Sequence, residues 1–109
     1  MNMLKVNVPK SLVNELMEAL IQLGVLHIRL ADVSGYTDGI EQERYYRGGR
    51  LTLQIVREVE LEALIPDEML DRAVDTTITT IRRERSGDGF ISVTPLEQCY
   101  RVSTGNPEL

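Results

Sequence analysis

The stretch LTLQIVREVELEALIPDEMLDRAVDTTITTI, Leu51 to Ile81, changes its hydrophobic period once, and that change decides the class of fold. Leu51, Leu53, Ile55, Val59, Leu61, Ala63 and Ile65 all fall on odd positions. Side chains of a strand alternate between its two faces, so this pattern predicts one long strand with an apolar face and a mostly polar one. Pro66 closes it. Asp67 is then expected to cap a helix, with Glu68 in the first turn, and Met69, Ala73, Val74, Ile78 and Ile81 recur at helical spacing. The threonines of DTTITTI lower helix propensity because β-branched side chains lose rotamer freedom, but the periodicity outweighs them.

Upstream, Leu4, Val6 and Val8 alternate as a strand that Pro9 closes. Ser11 is the expected N-cap of a helix carrying Leu12, Leu16, Leu20 and Leu23, which Gly24 stops. A second strand, Val25 to Val33, leads into the polar SGYTDGIEQERYYRGG, punctuated by glycines at 35, 39, 48 and 49. Downstream of the central stretch, SGDG leads to a short strand from Phe90 to Val93. Cys99 to Val102 reads as one more strand before STGNPEL, a polar tail expected to fray. The order β-α-β-loop-β-α-β predicts an α+β, ferredoxin-like βαββαβ sandwich in which two helices cover one face of an antiparallel sheet. Such a fold hosts many functions, so function has to be read from the loops.

A chain of 109 residues suits one domain, 1–109, with a modest core that oligomerisation would enlarge. Seventeen acidic against twelve basic residues, a net charge of −5, argue against nucleic acid as a partner. A single cysteine, Cys99, allows no intrachain disulfide, and neither a signal peptide nor a membrane span is readable. The expectation is a reduced, cytoplasmic protein able to dock on a membrane protein without inserting.

Ser86-Gly87-Asp88-Gly89 admits two readings. One glycine past a helix end is ordinary turn chemistry; two leave successive backbone N–H groups bare, a concave donor surface suited to phosphate oxygens. On these four residues alone the plain turn is preferred. Glu62 and Arg101 read by default as surface charges, and His27, without a spaced partner, as a surface strand residue and not a metal ligand. Tyr45 and Tyr46 suit either oligomer packing or partner contact.

Taken together, YRG in the long loop, IPDEMLDRAVDT opening the second helix, GDG before the following strand and R-x-x-T-G near the carboxyl end resemble the PII signal-transduction family over nearly the whole chain. The resemblance implies a homotrimer that binds adenine nucleotides, as regulatory ligands and not as a cofactor, in clefts between subunits. It implies control of other proteins through the long loop, the T-loop, about 35–51, ahead of a flexible tail at about 103–109. Residue by residue, it assigns the nucleotide's surroundings to Gly35, Tyr36, Thr37, Glu62 and Leu64, the phosphate cradle to Gly87, Asp88 and Gly89, and a phosphate contact from the neighbouring subunit to Arg101. Under this resemblance SGDG becomes a cradle and not a mere turn. Arg29, Phe90 and Ser103 join the nucleotide set, and Tyr45, Tyr46 and Arg47 the partner-binding loop.

The chain also departs from the family pattern. Phe90 and Ser103 stand where a lysine and a second arginine usually grip ATP, and each lost charge-assisted hydrogen bond is worth about 1.5–3 kcal/mol. ADP or AMP should therefore bind at least as well as ATP. Gly39 and Glu58 replace the glutamine and lysine of the 2-oxoglutarate site, and Leu51 replaces the tyrosine that many members have uridylylated. These departures point to a divergent PII-like regulator of a transporter or metabolic enzyme, of the kind tied to inorganic carbon, with bicarbonate or another small anion as a candidate effector. The alternatives are a nitrogen-regulatory protein sensing ATP, ADP and 2-oxoglutarate, or a small-anion- or metal-binding trimer. No acid-base or nucleophile constellation supports an enzyme.

Overall fold

The computed structural model describes residues 1–36, 55–84 and 89–108. The alternation at the amino end builds strand β1 (Asn2–Val8), and the central odd-numbered pattern builds β3 (Ile55–Ile65). The two pair antiparallel with Leu4 opposite Ala63, Val6 opposite Leu61 and Val8 opposite Val59, so their apolar positions share one face. Strand β2 (Leu26–Tyr36) pairs with β3 on its other side, and β4 (Ile91–Pro95) with β1. The order is β2-β3-β1-β4, antiparallel throughout. With helices α1 (Val13–Gln22) and α2 (Leu70–Arg82), this is the ferredoxin-like α+β sandwich expected from the sequence.

One face of the sheet carries the core. Leu4, Val6, Val8, Leu61, Ala63 and Ile65 are buried against Leu16 and Leu20 of α1 and Ala73 of α2. Burying each large aliphatic side chain fully is worth up to about 1.5–3 kcal/mol. Gly24 ends α1 as expected, at φ +91°, and a Cβ there would come within 3.0 Å of the Met69 methyl. Both the backbone conformation and the close approach therefore favour glycine.

Several local expectations need correction. Ser11 and Asp67 do not cap the helices: each lies in a 3-10 turn, Lys10–Leu12 and Asp67–Met69, ahead of helices whose N-cap positions are Leu12 and Met69. Asp67 Oδ1 accepts hydrogen bonds from the Met1 ammonium (2.8 Å) and Asn2 Nδ2 (2.7 Å), which hold its carboxyl below the usual carboxylate range. In α2, Ile78 is exposed while Thr77 and Thr80 are buried beside Ala73. The threonines are tolerated because a hydroxyl can bond its own helix: Thr77 Oγ1 donates to the Ala73 carbonyl at 2.8 Å.

Strand β2 runs on past Val33 to Tyr36, and β4 begins after Phe90 and reaches Pro95. His27 adopts φ +42° at a register irregularity between Leu26 and Ile28, a bulge where one residue leaves the ladder. Cys99 to Val102 forms no strand. Tyr100 makes an isolated bridge to Pro107, and the chain folds back on itself around Gly105 at φ +71°. Leu51 and Leu53 of the expected long strand lie outside the described residues.

Candidate functional site

The face of the sheet turned away from the helices carries the even-numbered residues of β3 and the odd-numbered ones of β1. Glu62 occupies its middle, opposite Lys5 on β1 and Arg29 on β2. Lys5 Nζ lies 3.3 Å from Glu62 Oε2. Leu64, one step along the same face, sits opposite Met3 and Leu26. The ladder thus brings Arg29, Glu62 and Leu64 together and adds Lys5, which sequence reasoning passed over as an ordinary polar strand residue.

Gly35 and Tyr36 stand opposite Val56 and Ile55, at the end of the β2–β3 ribbon. Strand β1 stops pairing at Val8 opposite Val59, whereas the ribbon continues to Ile55, roughly 13 Å farther at about 3.3 Å per residue. The base of the long loop is thereby carried beyond the sheet body. Glu58, opposite Val33 at the start of this projection, is only 7% exposed. Thr37, Gly39, Tyr45, Tyr46, Arg47 and Leu51 lie outside the described residues, as do Gly87 and Asp88.

Gly89 and Phe90 enter β4, whose first residue, Ile91, pairs with Val6. Phe90 is 87% exposed, so its ring is not part of this subunit's core. The approach to the SGDG segment is tied down: Arg83, just past α2, forms an ion pair with Glu15, and Ser11 Oγ donates to Glu84 Oε2 at 2.6 Å. This is the role Ser11 takes in place of capping.

Arg101 and Ser103 come after β4 has ended at Pro95 opposite Asn2, the other end of the strand from Gly89. They lie in the carboxyl-terminal turn. Arg101 N–H donates to the Asn106 carbonyl (2.9 Å), Gly105 N–H to the Arg101 carbonyl (2.8 Å) and Glu108 N–H to the Cys99 carbonyl (2.7 Å). Across this turn Arg101 Nε donates to Glu108 Oε1 at 2.5 Å. Among the described residues no hydrogen bond or ion pair joins Arg101 to Gly89 or Phe90. Sequence reasoning missed Glu108, whose proximity to Arg101 depends on a chain reversal that no motif announces.

Among the described residues there is no cluster of three or more His, Cys, Asp or Glu side chains able to hold a metal ion. No described helix is long and apolar enough to cross a membrane.

The family model described as nitrogen regulatory protein P-II matches residues 1–106. The nitrogen regulatory protein P-II of Rhodobacter capsulatus is 33% identical over 92 residues, 84% of this chain and 82% of that protein. Its namesake in Nostoc punctiforme is 30% identical over 92 residues, with the same coverage. Nitrogen regulatory protein P-II 1 of Escherichia coli K12 is 28% identical over 95 residues, 87% of this chain and 85% of its own.

Proposed function

Because the chain belongs to the PII signalling family, we propose that it is a nucleotide-responsive regulatory trimer. It takes adenine nucleotides between subunits and controls a transporter or metabolic enzyme through its long loop. The observation that supports the intersubunit site is the separation along β4. Gly89 and Phe90 enter this strand beside Val6, Arg101 follows its exit beside Asn2, and nothing in the described subunit joins them. Phosphate groups held by both would lie between copies, where one subunit's Gly89 meets another's Arg101.

The nucleotide preference follows from counting charges. The Gly87–Gly89 backbone and Arg101 serve one or two phosphates. A third meets Phe90 and Ser103 in place of basic side chains, each replacement costing about 1.5–3 kcal/mol of charge-assisted bonding. ADP and AMP should then bind at least as tightly as ATP. Binding acts on the loop by population shift, because a ligand touching Gly35 and Tyr36 in one loop state stabilises that state by its differential affinity.

The reading as a nitrogen sensor draws on the relatives' names. Against it, the lysine expected to pair a dicarboxylate is replaced by Glu58, whose like charge repels one, and Gly39 offers no side-chain oxygen.

Light scattering and calorimetry decide these points. We expect a trimer that binds ADP or AMP at least as tightly as ATP, with weak or no added heat from 2-oxoglutarate and magnesium. A stable monomer at micromolar concentration, or a tenfold preference for ATP over ADP, would overturn the proposal. Micromolar 2-oxoglutarate binding would restore the nitrogen-sensing reading.

A further inference from the structure

The carboxyl-terminal turn holds a carboxylate on the very arginine assigned to phosphate. Glu108 does not reach Arg101 by chance of a long side chain. The Tyr100–Pro107 bridge and the backbone bonds Arg101–Asn106 and Glu108–Cys99 close the turn from both sides. Gly105 at φ +71° makes the reversal, and the side chain of Glu108, about a quarter exposed, delivers Oε1 to Arg101 Nε. A guanidinium takes carboxylate and phosphate through the same planar set of donors, so the two anions compete for one group.

From this geometry we propose that Glu108 is a specificity-determining residue: an internal anion on Arg101 that screens ligands by charge, penalising polyphosphates more than a single phosphate. The inference rests on the phosphate role given to Arg101 above. Two effects act together. A phosphate that needs the Nε donor must displace the carboxylate, and one bound to the remaining nitrogens stays within a few ångströms of its negative charge. Ser103 offers no second cation to offset this. A ligand without charge is indifferent to both effects, which separates charge screening from any general support that Glu108 gives the turn. An exposed pair of this kind is a modest filter and not a lock, of the size that biases a preference among related ligands.

The test compares the full chain with Glu108→Gln, which keeps an acceptor oxygen for Arg101 but loses the charge, and with Glu108→Ala, which loses both. Inorganic phosphate and pyrophosphate are titrated while the Arg101 Nε–H resonance is followed by NMR, with Arg101→Ala identifying the signal. AMP, ADP, ATP and adenosine are titrated by calorimetry. Both Glu108 variants should bind pyrophosphate and ATP about fivefold more tightly and phosphate and AMP about twofold, with adenosine unchanged.

Equal pyrophosphate affinity in the three proteins would overturn the inference. So would weaker binding in Glu108→Ala alone, because Glu108 would then be orienting the guanidinium and not competing for it. The two proposals fail separately. Nucleotides that bind all three proteins alike remove the role of Glu108 and leave the proposed function intact. Nucleotides that bind none of them, while pyrophosphate still favours the variants at Arg101, remove the proposed function and leave the role of Glu108.

Discussion

The two faces of the sheet use the same strands for opposite purposes. On the helix side, Leu4, Val6, Val8, Leu61, Ala63 and Ile65 are shut away from water, and the packing is mainly aliphatic, with Thr77 and Thr80 of α2 buried in it. One residue along each strand, the other face carries Lys5, Glu60, Glu62 and Arg29, with the half-exposed Lys5–Glu62 pair at its middle. Alternation therefore separates an apolar, stabilising face from a charged one at single-residue resolution. The first face can hold the domain together while the second carries charges that burial against the helices would not allow.

The sharpest way to break this comparison is on the covered face. Leu61→Ala should cost about 2–5 kcal/mol in chemical denaturation, since the side chain is fully buried between β1 and the helices. A smaller loss would mean that the helix side collapses around the cavity and packs less tightly than its burial implies. Next in size is Thr77→Ala, which removes a buried methyl and the hydroxyl bonded to the Ala73 carbonyl; about 1–2 kcal/mol is expected from the same measurement.

The smallest effect belongs to the open face. Glu62→Gln should change stability by less than about 1 kcal/mol, because a half-exposed ion pair contributes little. If Glu62→Gln instead destabilised the protein strongly, and more so at higher protein concentration, the open face would be buried against other copies in solution.

Much of this contrast was legible in the residues alone. Strands β1 and β3 were readable because a strict period of two admits no other face assignment. Helix α1 was readable because its leucines mark one side without ambiguity. The covered side of α2 was misjudged at Ile78, because a pattern that counts only apolar residues does not see Thr77 and Thr80 burying their methyl groups while the helix backbone can satisfy a hydroxyl. Ser11 and Asp67 have the right chemistry for caps, but 3-10 turns take up the positions where capping would occur.

The gathering of the candidate site residues was legible in parts. Arg29, Glu62 and Leu64 gather on one face as strand pairing requires, but the Lys5 partner depends on register, and the Glu108 partner of Arg101 on a backbone reversal at Gly105. Neither is encoded in local composition.

The placement of β1 between β3 and β4 also has a consequence in time. Of the four strands this one is synthesised first, yet both neighbours come from far later in the chain, with Val6 pairing to Leu61 on one side and Ile91 on the other. At about 5–20 residues per second, roughly 4–17 s separate the synthesis of Val6 from that of Ile91. During that interval an apolar strand with Leu4, Val6 and Val8 has α1 to lean on but an unfilled ladder on at least one side. Of the four strands, β1 is thus the one most open to misplaced pairing in the nascent chain, and shielding by a chaperone matters most there.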